Sequence, residues 1–173
     1  MNKYSVITAI AIIVIIIPIL YGIWGIYSVE KLQIGTPDSK FSYFDMSNYE
    51  KIQICNSLPF FVSFNGLKIE FYYQNDIKGV FEIGPTTISP TTSKILDVDF
   101  SSENFAEAQY LFMHMDGQFG GEIPIRLDPN NMIMVTSFET RIIGVIPYQN
   151  TITQSGFDFT NMMNEESLCV NND

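Results

Sequence analysis

The residues best placed to do chemistry stand in one short run, Met113-His114-Met115, and His114 is the only histidine of the chain. Two thioethers and an imidazole form a ligand set that suits soft copper. Whether they can converge depends on the backbone. On a helix, at about 100° per residue, Met113 and Met115 fall on opposite flanks and His114 turns to the solvent side. On an extended strand the two methionines would share a face. The surrounding pattern is helical, so the expectation is an exposed histidine and no metal site. Asp97 and Asp99 are spaced like a working carboxylate pair, but such pairs must line a cleft. Here they alternate with Leu96, Val98 and Phe100 and read as the solvated face of a strand. "LDPNN" (127–131) lacks the spaced ligands and closing glutamate of a calcium loop and reads as a turn. No Gly-rich loop leads into Lys-Ser/Thr, and no nucleophile elbow occurs. The expectation is a non-enzyme with no catalytic residues, no metal and no cofactor, at most a non-catalytic subunit of a membrane enzyme complex.

The elements that carry these residues are mostly strands. Phe60, Val62 and Phe64 share one face, and Leu67, Ile69, Phe71 and Tyr73 follow with Lys68, Glu70 and Gln74 opposite. Asn65-Gly66 lies between the two runs, and both residues tolerate the positive φ of a type I′ turn, which predicts a hairpin there. Further strands are predicted at 51–55, 80–83, 96–100, 123–127, 132–138 and 141–146. One segment differs: "SSENFAEAQYLFMHMDG" (101–117) offers Ser102 as an N-cap, Gly117 as a stop, and Phe105, Ala108, Leu111, Phe112 and Met115 on one side. The predicted fold is mainly β: an immunoglobulin- or fibronectin-like antiparallel sandwich with one inserted amphipathic helix. Residues 49–147 would form that domain. Residues 30–48, rich in Gly, Pro, Asp and Ser, read as a linker, and 148–173 as a polar tail that wraps or trails.

Ahead of it all, residues 6–29 read "VITAIAIIVIIIPILYGIWGIYSV" without a charge. As a helix of ~1.5 Å rise per residue this spans ~36 Å, enough to cross a ~30 Å hydrocarbon core with some tilt. Tyr4, Tyr21, Trp24 and Tyr27 sit toward its ends, as interfacial aromatics do. A cleaved signal peptide would have a shorter apolar run and a small-x-small site, and "GIYSVEKL" supplies none. Residues 1–29 are therefore read as an uncleaved single-pass anchor in membrane lipid, with the large domain expected on the outer face.

All 19 acidic residues and 8 of the 9 basic ones follow the anchor, so that part carries 8 − 19 = −11. Such a balance argues against nucleic acid and against docking on anionic headgroups, and would hold the domain off the membrane plane. Cys55 and Cys169 are the only cysteines. Outside the cell they could close a loop of ~115 residues and stabilise the fold by up to ~4.7 kcal/mol; two free thiols are the alternative.

The pieces "IQICNSLPFFVSFNGLKIEFYYQND", "IKGVFEIG", "TTISPTTS" and "KILDVDF" follow one another within residues 51–100. Together they resemble the late-embryogenesis-abundant type 2 family, also called the water-stress and hypersensitive-response (WHy) domain. In that resemblance Asn56 takes the family's turn asparagine, Gly66-Leu67 the hairpin pair, and Ile88, Pro90 and Ser93 the corner. Ser57 stands where the family has proline, and Gly79 follows Lys78 rather than isoleucine. What the resemblance implies is a sandwich without catalytic residues, used as a binding, protective or accessory module and often tethered to a membrane.

The expected function is thus a membrane-anchored accessory or binding module that docks on partner membrane or envelope proteins. Phe61, Tyr72 and Ile95 lie on the nominal outer strand faces and are the candidate contacts. A stand-alone water-stress domain and an archaeal pilin-like filament subunit are the alternatives; against the filament, "NKYS" gives one Lys and no Gly for processing.

Overall fold

An almost wholly apolar sequence, uncharged between its two end residues, builds the longest element, helix α1 (Lys3–Glu30), with Pro18 inside it. A computed structural model describes residues 3–36, 40–49, 51–121, 127–142 and 145–165. Beyond α1 the chain is mainly β. In order it forms β1 (Gln33–Gly35), α2 (Tyr43–Tyr49), β2 (Lys51–Asn56), β3 (Val62–Phe64), β4 (Gly66–Tyr73), β5 (Asp76–Ile83), β6 (Thr86–Ile88), β7 (Thr92–Asp97), β8 (Asp99–Ser101), α3 (Phe105–Phe119), β9 (Met132–Ile142), β10 (Ile146–Ser155) and α4 (Gly156–Asn164).

Every strand pair is antiparallel. A five-stranded sheet runs β10-β9-β4-β5-β8, a three-stranded sheet β1-β2-β7, and β3 pairs with β6. Period-2 alternation turns Leu67, Ile69 and Phe71 of β4, Phe81 of β5 and Met132 and Met134 of β9 inward, to meet Ile52 and Ile54 of β2, Val62 and Phe64 of β3 and Ile88 of β6 in one core. Among the described residues the sheets are layered as an antiparallel sandwich and do not close into a barrel.

The hairpin expected at Asn65-Gly66 is not formed. Neither residue has a positive φ, and β3 pairs with β6 instead of β4. β4 is a central strand with β5 and β9 on its two edges, so no edge is left for β3. Asn65 N–H donates to Glu139 O at 2.7 Å, and the chain crosses from one sheet to the other without reversing. The tight turn lies at the other end of β4: Gln74 (φ 54°) and Asn75 (φ 68°) separate the paired Tyr73 and Asp76. That is a two-residue turn with both φ positive, the I′ geometry that suits strand twist.

Two segments expected outside the domain are built into it. Residues 30–48 are not a free linker: β1 pairs with β2, and Phe41, Tyr43 and Met46 are buried. Of the polar tail, 148–155 lie in the long edge strand β10, and α4 sinks Phe159 and Met163 into the core. The strand expected at 123–127 falls on residues outside those described, Leu127 excepted. That expected at 141–146 is divided: β9 runs on to Ile142 and β10 begins at Ile146.

Helix α3 appears where helical spacing placed it, with Ala108, Leu111, Phe112 and Met115 buried. Its cap is Asn104, whose side chain accepts from Glu107 N–H, rather than Ser102. Ser102 is engaged elsewhere, donating to Lys78 O of β5. Gly117 lies within the helix, which ends at Gly120, and Phe105, expected on the buried side, is exposed at the first turn.

Candidate functional site

The residues that could do chemistry are dispersed or structurally engaged. Met115 is fully buried, Met113 is exposed, and His114 packs at a tilt on Tyr110, 4.1 Å between ring centroids, with Nδ1 2.9 Å from Tyr110 O. No group of three metal-binding side chains occurs among the described residues. Asp97 and Asp99 are both exposed and belong to different sheets, because the chain changes sheet at the buried Val98. Asp128 of the LDPNN segment accepts from Asn130 N–H and Nδ2 and closes a turn.

Asp116 of α3 is a carboxylate engaged across elements. It accepts from Ser42 Oγ (2.9 Å), Tyr43 N (2.8 Å) and Phe44 N (2.9 Å), and so covers the first turn of α2 from another helix. Burial raises its pKa above the ordinary carboxylate range, against the pull of those three donors. Tyr43 Oη donates to Gly156 O at 2.8 Å and lies 3.1 Å from Thr160 Oγ1, with burial pushing its pKa well above the usual phenol value. Around it pack the rings of Phe41, Phe112, Phe119 and Phe159. These groups hold three helices to the sandwich.

The turn positions singled out in the sequence have structural tasks of their own. Asn56 is buried; Nδ2 donates to Phe60 O (2.8 Å), Ser89 O (2.9 Å) and Ile88 O (3.3 Å), and Oδ1 accepts from Leu58 N–H. It ties the 57–61 loop to the corner that contains Ile88 and Pro90. Leu67 and Ile88 are core residues, Gly66 opens β4, and Ser93 pairs with Cys55 across β7 and β2. Cys55 points away from the core by strand alternation, yet it is buried and disulfide-bonded. Cys169, its expected partner, lies outside the described residues.

The three candidate contacts do not form one patch. Ile95 is exposed on the outer face of the three-stranded sheet, opposite Gln53. Tyr72 is half-buried on the outer face of the five-stranded sheet, in register with Ile77 on one side and Ile133 on the other. In the neighbouring row Glu70 stands between Val80 and Val135. Five apolar side chains thus cross three strands on a face turned from the core.

Phe61 belongs to a third place, an open groove of about 710 Å³ between the last turns of α1 and the near ends of β3, β6, β7 and β9. Trp24 packs on Phe60 at 4.8 Å between ring centroids, Ser28 Oγ donates to Trp24 O, and Ser28 and Val29 are buried in the domain. The groove wall combines Tyr21, Trp24 and Phe61 with Thr86, Thr87 and Thr140 and the cations Lys94 and Arg141. Sequence reasoning reached Trp24 as an interfacial aromatic but missed Lys94 and Arg141, 47 residues apart, which come together only through the topology.

Compared with known proteins, the chain matches no family model and is similar to no curated protein.

Proposed function

We propose that α1 is an uncleaved single-pass membrane anchor and that the domain behind it is a non-catalytic binding module for a larger membrane or envelope assembly. One observation carries the anchor: α1 is apolar on every side and exposed, with only 6% of its most apolar window buried, whereas its last residues are part of the domain core. A helix hydrophobic all round needs lipid or other helices about it. A signal peptide cut at its end would take Ser28, Val29 and the Trp24–Phe60 contact with it. The disulfide at Cys55 supports an oxidising compartment, and hence the domain on the outer face.

The binding role is supported by the outer face of the five-stranded sheet. Tyr72, Ile77, Val80, Ile133 and Val135 form an apolar strip of the kind that soluble surfaces rarely leave uncovered. Gently solubilised membranes run on native electrophoresis, with mass spectrometry of the band, test this reading. The wild-type chain is expected in a band far above its own 19.7 kDa, and Ile133→Glu with Tyr72→Glu is expected to release it. Migration of the wild-type chain alone would remove the assembly reading.

A further inference from the structure

We propose that the groove between α1 and the domain is a seat for the phosphate headgroup of a membrane lipid, bound by Lys94 and Arg141. The inference rests on α1 being a membrane anchor. Counted from Tyr4 at ~1.5 Å per residue, Trp24 lies ~30 Å along the helix, at the far boundary of a hydrocarbon core. Because Trp24 packs on Phe60, the 57–61 loop is held at the same depth. Phe61, 68% exposed, is then an aromatic at the headgroup level, where such rings are favoured. Val145, 77% exposed, leads into Ile146, the exposed first residue of β10, which pairs with Ile142 next to the groove's Arg141.

Charge makes the groove a phosphate site rather than a neutral crevice. Its 16 lining residues include Lys94 and Arg141 and no carboxylate, in a chain whose 19 acidic residues outnumber its 9 basic ones. Two cations of the domain are ion-paired, Lys68 with Glu70 at 2.7 Å and Lys78 with Glu107 at 2.8 Å. Lys94 and Arg141 have no ion pair among the described residues. Arg141 offers a planar fork to phosphate oxygens, Lys94 a point charge, and Thr86 and Thr140 add hydroxyls at the wall. The volume lies within the range of small-ligand sites, and its apolar side is the anchor itself, along which acyl chains would run.

The test uses the full chain in nanodiscs containing phosphatidylglycerol, ejected into a mass spectrometer under native conditions. One retained phosphatidylglycerol per chain is expected, and Lys94→Gln with Arg141→Gln is expected to lower that occupancy about tenfold, the loss of charge-assisted hydrogen bonds. Both residues are exposed, so the double variant should fold, which a thermal melt verifies. Equal lipid retention by wild type and double variant overturns the proposal. Loss of the lipid to millimolar inorganic phosphate overturns its lipid source and leaves a free-anion site instead. Alkaline carbonate extraction of the source membranes separates the two levels: a chain that washes off defeats the anchor reading itself, whereas one that stays and binds no lipid defeats only this inference.

Discussion

The two ends of the domain treat their polar groups in opposite ways. Around Tyr43, Asp116 and Thr160 the hydrogen bonds join parts of the same chain: Tyr43 Oη donates to Gly156 O, and Asp116 accepts from Ser42, Tyr43 and Phe44. At the α1 junction, two cations stand without carboxylates and an aromatic ring is exposed. A region that satisfies itself is scaffold. One that leaves charge and aromatic surface open, beside a helix that itself needs an apolar surround, is where an outside partner fits. Conspicuous residue types mislead here, because the only histidine and the carboxylate that covers the start of α2 both sit at the self-satisfied end.

Substitutions should break the two ends differently. Phe112→Ala removes a fully buried ring that touches Tyr43, Phe71, Phe81 and Phe100; a loss of about 3–5 kcal/mol is expected in chemical unfolding. Asn56→Ala should cost about 2–3 kcal/mol, since it orphans the carbonyls of Phe60, in the loop that receives Trp24, and of Ser89, in the corner after β6. That variant should also loosen the 57–61 loop against α1, read as faster hydrogen exchange there than in β4.

Asp116 gives a pH signature to the scaffold end. Its folded pKa is raised by burial, so the native chain keeps this proton to higher pH than the unfolded chain does. Its stabilising contribution is therefore complete below the ordinary carboxylate range and is lost as pH rises through the raised value. Its share of the slope is at most ~1.4 kcal/mol per pH unit. Asp116→Asn should flatten the stability profile between that range and neutrality, measured as the difference from wild type; an unchanged slope would count against the burial argument. The smallest effect belongs to the open end: Lys94→Gln and Arg141→Gln should leave unfolding free energy within about 0.5 kcal/mol of wild type. A larger loss would mean that these cations serve the fold after all.

Much of the scaffold was legible because it depends on local periodicity. The inward set Leu67, Ile69 and Phe71 and the buried stripe Ala108, Leu111, Phe112 and Met115 follow from spacings of two and of three or four. Pairing was not legible. Asn65-Gly66 permits a reversal without requiring one, and the competition for the edges of β4 involves β9, some 70 residues away. The segment read as a linker did carry a signal, in that Phe41 and Tyr43 are large apolar residues that a solvated linker does not need. The junction groove carried none. A charge of −11 describes the whole domain, whereas recognition depends on the few charges that the topology gathers, and here the local sign is the reverse of the average.

The most direct measurement of the central claim is peptide mapping of the chain recovered from membranes after alkaline carbonate extraction. An uncleaved anchor whose last turns belong to the domain core requires that the chain stay in the membrane pellet with residues 3–30 still attached. A chain found in the supernatant, or one beginning beyond Glu30, would contradict it.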